Sequence, residues 1–121
     1  MSFGATLTIT VNSVAKVLNR INQDNYGSEY YLRSSLDEYR VKIRHSKESP
    51  LSDGRQFDRH NVEVTHTVFA VGAVPEIKRV DSFTNRTLGT DDITASGYLF
   101  AAFATYMANA TVQGDLLTWQ S

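Results

Sequence analysis

The hydrophobic pattern changes period once along this 121-residue chain, from two residues to about 3.6. Thr6-Leu-Thr-Ile-Thr-Val11 alternates cleanly, with Leu7, Ile9 and Val11 on one face, and predicts a half-buried strand. Asn12-Ser13 signals a turn, and Val14–Ile21 runs back to close an N-terminal hairpin over about residues 5–21. A short helix is the second reading of Val14–Ile21, because Val14, Val17, Leu18 and Ile21 also fit a helical stripe. Asn22–Gly27 reads as a loop and Glu29–Arg33 as a short aromatic strand ended by Ser34-Ser35. Glu38–His45 is the clearest strand: Tyr39, Val41, Ile43 and His45 point one way, and Glu38, Arg40, Lys42 and Arg44 the other. A polar turn around Pro50 and Asp53-Gly54 leads to a strand over Phe57–Ala70. Its even positions (His60, Val62, Val64, His66, Val68) form a largely apolar face, and its odd positions (Arg59, Asn61, Glu63, Thr65, Thr67) a polar one. After the loop Val71–Pro75, Glu76–Leu88 is a last strand of poorer pattern. Lys78, Ser82, Thr84 and Arg86 mark its polar side, Ile77 and Phe83 the other, and Arg79 and Asp81 sit out of place.

From Thr90 the period lengthens. Thr90, Asp91 and Asp92 suit a helix start, and Ile93–Ala110 follows without a charged residue. Ile93, Phe100, Phe103 and Met107 share one helical face with Ala104, while Tyr98, Leu99 and Tyr106 cover much of the rest. A surface helix normally keeps a charged outer face. This one is therefore expected to be contacted on more than one side, the second side by another copy of the chain. A membrane span competes on length, since eighteen residues reach about 27 Å of a core of about 30 Å. Thr94, Ser96, Gly97, Thr105 and Asn109 dilute it and no basic cluster flanks it, so a helix between protomers fits better. Val112–Trp119 predicts a second short helix, with the break near Thr111–Gly114. Six strands followed by helices predict an α+β fold on an antiparallel meander, one domain over residues 1–121 with the sheet at about 28–88 and the helices at about 91–119. The terminal helices are the only cover this reading offers for the apolar sheet face. One helix is narrow for that task, and two copies laying helices across a joined sheet would complete it.

Composition, the N-terminal stretch and net charge narrow the picture. Hydrophobic residues make up 41% and charged residues 21%, which excludes a disordered chain. The absence of cysteine excludes disulfides, thiol nucleophiles and Cys-based metal sites. Met1-Ser-Phe-Gly lacks a basic start and no long apolar run follows, so no signal peptide is expected. A net charge of −1 offers no whole-molecule attraction to a polyanion, so any nucleic-acid affinity rests on arrangement. Cations at spacing two on a strand lie about 6.5–7 Å apart, near the phosphate repeat, and a flat polar sheet suits single-stranded or looped RNA. The plainer reading of the stripe is a solvated face paired with Glu38 and Glu63; a strand bearing stacking aromatics is missing from the pattern.

Catalytic readings fare worse. His60 and His66 lie about 20 Å apart along one strand and cannot share a metal. All three histidines, His45 included, fall on faces read as apolar, so half-buried, hydrogen-bonded rings are expected. Asp24–Glu29 offers oxygen ligands without EF-hand spacing, and neither a Gly-rich phosphate loop nor a Gly-x-Ser-x-Gly elbow occurs. No catalytic or metal-ligating residue, small-molecule substrate or enzymatic activity is expected.

The ordered set Thr6-Leu-Thr-Ile-Thr10, Ala15-Lys-Val-Leu18, Ile21-Asn-Gln-Asp24, Ser28-Glu-Tyr-Tyr-Leu32, Val41–Glu48 through Arg44-His45, Arg59-His-Asn-Val-Glu63 and Pro75-Glu76 resembles the coat proteins of the small single-stranded RNA bacteriophages, the leviviruses, and within them the Caulobacter-phage branch. The resemblance covers nearly the whole chain and is weakest in the C-terminal helices. It implies an N-terminal hairpin, an antiparallel sheet and two C-terminal helices that interlock across a homodimer. Dimers would close into a small icosahedral (T=3) shell around single-stranded viral RNA, assembled in the bacterial cytoplasm and carried in the virion. By position it makes Arg40, Lys42, Arg44, Arg59, Asn61, Glu63, Thr84 and Arg86 RNA-contacting, and Tyr98, Leu99, Phe100, Phe103 and Met107 dimer-interface residues. Family members also repress replicase translation through a genomic RNA hairpin. The better-studied ones carry small hydroxyl side chains where this chain has Arg40, Lys42 and Arg59, which here favours phosphate contact over a tight base pocket. Val71–Pro75 corresponds to the loop around the symmetry axes, with Gly72 free to change shape. No cofactor is required; the resemblance allows a divalent cation such as calcium at subunit interfaces. A non-viral dimeric RNA-binding module that forms no particles is the rival expectation.

Overall fold

A computed structural model describes residues 3–120; Met1 and Ser2, the first half of the Met1–Gly4 stretch, lie outside the described residues. Strands β1 (Thr6–Val11) and β2 (Val14–Gln23) form the hairpin, with Val11 opposite Val14. The two turn residues take left-handed backbone, Asn12 at φ 49° and Ser13 at φ 66°, as a type I′ turn demands. The helical alternative for Val14–Ile21 is thereby overturned: the turn's twist and the facing Leu7–Leu18 pair hold β2 extended.

Strands β3 (Gly27–Arg33), β4 (Asp37–Lys47), β5 (Phe57–Val68) and β6 (Ile77–Leu88) follow, each antiparallel to its predecessor, in the spatial order β1 to β6. In the loop between β5 and β6 Val71 bridges Val74, and Gly72 adopts φ 56°. Directly paired residues share a face. Tyr30, Val41 and Val64 therefore line the apolar side with Ser28, Ile43, Val62 and Phe83.

The register slips between Arg20 and Asn22, where Ile21 is the extra residue of a bulge. A bulge bends its strand, and here the hairpin curls over the apolar face of the sheet. Lys16 Nζ reaches to 5.6 Å from the centre of the Tyr39 ring, two strands away, and the Tyr30 hydroxyl donates to Gly4 O at 2.7 Å. Leu18, Tyr30, Tyr39, Val41 and Ile43 form the buried core, with Leu7, Ile9, Leu32, Val62 and Val64 packed against it. The expectation that only the helices could cover this face is thus corrected: the hairpin covers its first half. Deleting a side chain such as that of Leu18 would cost about 2–5 kcal/mol.

Helix α1 (Ile93–Met107) starts at Asp92, whose carboxylate accepts from Thr94 N at 3.0 Å. It ends at Ala108, and α2 (Ala110–Leu117) begins at once. The predicted break near Thr111–Gly114 is three residues late. Asn109 turns the chain, accepting from Thr111 N at 2.9 Å and Val112 N at 3.3 Å, and Gly114 lies inside α2. Neither helix contains a buried residue. Phe100 and Phe103 rest on Phe83 of β6, with ring centres 4.3 and 6.0 Å apart. Otherwise α1 stands open: Tyr98 is 73% and Leu99 74% exposed. Among the described residues no helix is long and apolar enough to cross a membrane.

Candidate nucleic-acid interface

The face opposite the core is built in rows by the register. Glu29, Lys42, Glu63 and Ser82 form one row; Tyr31, Arg40, Thr65 and Val80 the next; Gly27, Arg44, Asn61 and Thr84 another; Arg59 stands beside Arg86. All eight residues assigned to RNA contact therefore lie on one surface of β4, β5 and β6. Cations exceed carboxylates there, with Arg33, Arg40, Lys42, Arg44, Arg59, Lys78 and Arg86 against Glu29, Glu38 and Glu63.

The cations are not equivalent. Arg40 is ion-paired to Glu29, and its guanidinium lies over the Tyr31 ring at 4.7 Å. Glu29 holds the Arg40 pKa above its ordinary value. The Tyr31 hydroxyl donates to Glu38 Oε2 at 2.5 Å, a bond that raises the phenol pKa. Arg86 grips Glu48 with two nitrogens, Nη2 to Oε1 at 2.7 Å, and lies over Phe57 at 4.7 Å; the pairing lowers the Glu48 pKa. Arg44 folds down over Gly27, donating to Ile43 O at 3.0 Å and Ser28 O at 3.3 Å. Asn61 Nδ2 donates to Thr84 Oγ1 at 2.9 Å. Among the described residues Lys42 and Arg59 have no ion-pair partner, although Glu63 stands directly opposite Lys42. The expected neutralising partners, Glu38 and Glu63, are thus replaced by Glu29 and Glu48.

Sequence reasoning missed the aromatic content of this face. Tyr31 and Phe57 both lie on it, each beneath an arginine. The signal was parity: both share the phase of the polar positions of their strands.

The histidines also differ from expectation. His66 is half-buried, stacked on Tyr39 at 4.2 Å, and bonded through Nε2 to Asp37 and through Nδ1 to Arg79. His45 and His60 are exposed and face one another, because they lie beyond the reach of the hairpin that covers Tyr39 and Val41. Asp24 Oδ1 accepts from Tyr26 N at 2.8 Å, closing a turn. Among the described residues no three His, Asp or Glu side chains converge on one point.

A curled six-stranded antiparallel sheet followed by two C-terminal helices is the fold of RNA phage coat proteins. Residues 4–88 match the family described as phage phiCb5, coat protein. The chain belongs to that family: it is a coat protein, a structural component of a capsid and not an enzyme. Among solved structures it is similar to the virus-like particle of Beihai levi-like virus 21, at 13% identity and TM-score 0.74, over 97% of this chain and 95% of that one. It is similar also to the bacteriophage EMS014 coat protein, at 17% identity and TM-score 0.64, over 87% of this chain and 74% of that one. At such identities the likeness is one of fold. The structural likeness extends to the helices, beyond the matched residues 4–88. No curated protein matches the chain in sequence.

Proposed function

We propose that two copies join along β6, that each α1 lies across its partner's sheet, and that the dimers close into a small icosahedral shell around single-stranded RNA. The observation that carries this reading is an uncharged α1 without one buried residue, next to a sheet whose last strand has a neighbour on one side only. Such an edge and such a helix are both costly to leave in water. A buried core of five residues is also small for a chain of this length. Tyr98, Leu99, Phe100, Phe103 and Met107 are the surface the partner takes. Leu99→Asp leaves the sheet folded and abolishes particles, read by electron microscopy and light scattering. Normal particles from this variant would refute the interface.

The open sheet face lines the interior. Lys42 and Arg59 carry free charge toward RNA, whereas Arg40 and Arg86 already hold carboxylates. Many weak phosphate contacts gain strength through repetition. Genome packaging follows from this better than translational repression through one RNA hairpin, since Arg40, Lys42 and Arg59 stand where a base pocket would need small groups. The chain would assemble in the cytoplasm of a bacterial host and reside in the virion. Lys42→Gln with Arg59→Gln should lower particle RNA, measured by the 260/280 nm absorbance ratio, more than Arg40→Gln with Arg86→Gln. Equal losses would reject the distinction. No cofactor is required in this reading. A calcium ion at a subunit interface would need neighbouring chains to supply its oxygen ligands, and no step is routed through one. A cellular RNA-binding dimer would remain a dimer under the same microscope.

A further inference from the structure

We propose that His45 and His60 form a two-imidazole site for a divalent transition-metal ion. His45 on β4 and His60 on β5 are directly opposite in register, on the sheet face away from the cationic rows. Their Nδ1 atoms are 2.9 Å apart, with the rings edge to face at 68° and their centres 5.1 Å apart. Both side chains are exposed, and among the described residues each has only the other as a side-chain partner. His66 differs, because Asp37 and Arg79 occupy both its nitrogens.

Two imidazole nitrogens that share one ion at about 2.0–2.1 Å stand about 2.9 Å apart when the angle at the metal is about 90°, and about 3.3 Å apart at the tetrahedral angle. The spacing in this sheet is the first of these. It suits adjacent positions on a six-coordinate or tetragonal ion such as nickel or copper, and opens to zinc by about 0.4 Å. Without metal the 2.9 Å contact is a hydrogen bond with one Nδ1–H donor; on binding that hydrogen shifts through water to the same ring's Nε2, which frees both Nδ1 lone pairs with no net loss of a proton. Each exposed ring needs only a turn about its Cβ–Cγ bond to bring its lone pair to a common point off the line between the nitrogens. The antiparallel backbone holds the two Cα atoms in place, so the site is largely preformed.

The remaining coordination positions belong to water. His60 borders a cleft of about 480 Å³ where the ends of β5 and β6 meet the first turn of α1, and Asp58, Asp91 and Asp92 stand on its wall. That wall favours a cation and leaves room for its waters. Asp58 does not complete the set, because its carboxylate is held by Lys47 Nζ at 2.8 Å. Imidazole donors select against calcium and magnesium, which prefer oxygen. The site is independent of RNA packaging, since it lies on the opposite face.

The test is titration of Ni²⁺ alone into the full chain, purified without an affinity tag and stripped with a chelator, followed by calorimetry. One Ni²⁺ per chain is expected, with an affinity at least tenfold lower in His45→Gln and in His60→Gln alike. Ca²⁺ at the same concentration should give no binding that depends on either histidine. Ni²⁺ should also raise the melting temperature of the parent chain and leave both variants unmoved, while the metal-free melting temperatures of all three agree. Absence of Ni²⁺ binding overturns the proposal, as does either variant binding like the parent.

Discussion

Gly27→Ala probes the glycine whose added Cβ would meet the shortest contacts, at 2.6 Å. Gly27 on β3 faces Arg44 on β4, and a Cβ at position 27 would lie 2.6 Å from Ile43 O, 2.6 Å from Arg44 Nη1 and 2.9 Å from Arg44 Cδ. The arginine can swing away, although it would lose its bonds to Ser28 O and Ile43 O. The Ile43 carbonyl cannot, because it belongs to a central strand whose side chain is 2% exposed. Relief needs a strand displacement of several tenths of an ångström against a packed core, at about 1–3 kcal/mol. The smaller conformational freedom of alanine in the unfolded chain returns about 0.4–1 kcal/mol. A net loss of about 1–2 kcal/mol follows. With a urea m-value of about 2 kcal/mol/M, the midpoint falls by about 0.5–1 M. The assay is urea unfolding at fixed protomer concentration, since association stabilises the folded state by mass action. Gly27→Ala combined with Arg44→Ala should recover only part of the loss, because the carbonyl contact remains. A midpoint unchanged within error, or full recovery in the double variant, would refute the reasoning.

Two further perturbations follow from the same geometry. Asn109→Ala removes the cap that serves two backbone N–H groups of α2, and should cost about 1 kcal/mol, visible as faster amide exchange confined to α2. Asp37 accepts from His66 Nε2 and Ser34 Oγ, which hold its carboxyl below the ordinary aspartate range. A lowered folded value stabilises above the unfolded pKa of about 3.9 and is lost as pH falls through the folded one. Asp37→Asn should therefore be less stable than the parent near pH 7, with the gap closing below about pH 4 in denaturant midpoints taken at each pH.

The strands were legible because alternation is local. Glu38–His45 needs no knowledge of its neighbours to declare two faces, and β4 presents them as read, with Tyr39, Val41 and Ile43 buried. The curl of the hairpin was not legible, since it depends on Ile21 being the odd residue between β2 and β3, a matter of pairing rather than pattern. The helix break was misplaced for a related reason. Gly114 looked like punctuation, but an asparagine that caps its own successors ends one helix and starts the next without glycine or proline.

The site divides along the same line. Side-chain parity along a strand tells which face a residue occupies, so the cationic surface was readable from spacing. Register tells which residue stands opposite, and register is a property of two strands. Histidines were therefore compared along one strand, where His60 and His66 are far apart, while His45 met His60 across the ladder. Ion pairs add a third level, because long side chains choose among neighbours. Lys42 faces Glu63 without bridging it, while Arg40 reaches Glu29 and Arg86 reaches Glu48 outside the strands. The total charge of the face is thus a sequence property, but the charge left for a polyanion is a structural one. It includes Lys42 and Arg59 on adjacent central strands together with Arg33, Arg44 and Lys78, none of which forms an ion pair among the described residues, and the linear pattern ranked none of these above Arg40 or Arg86.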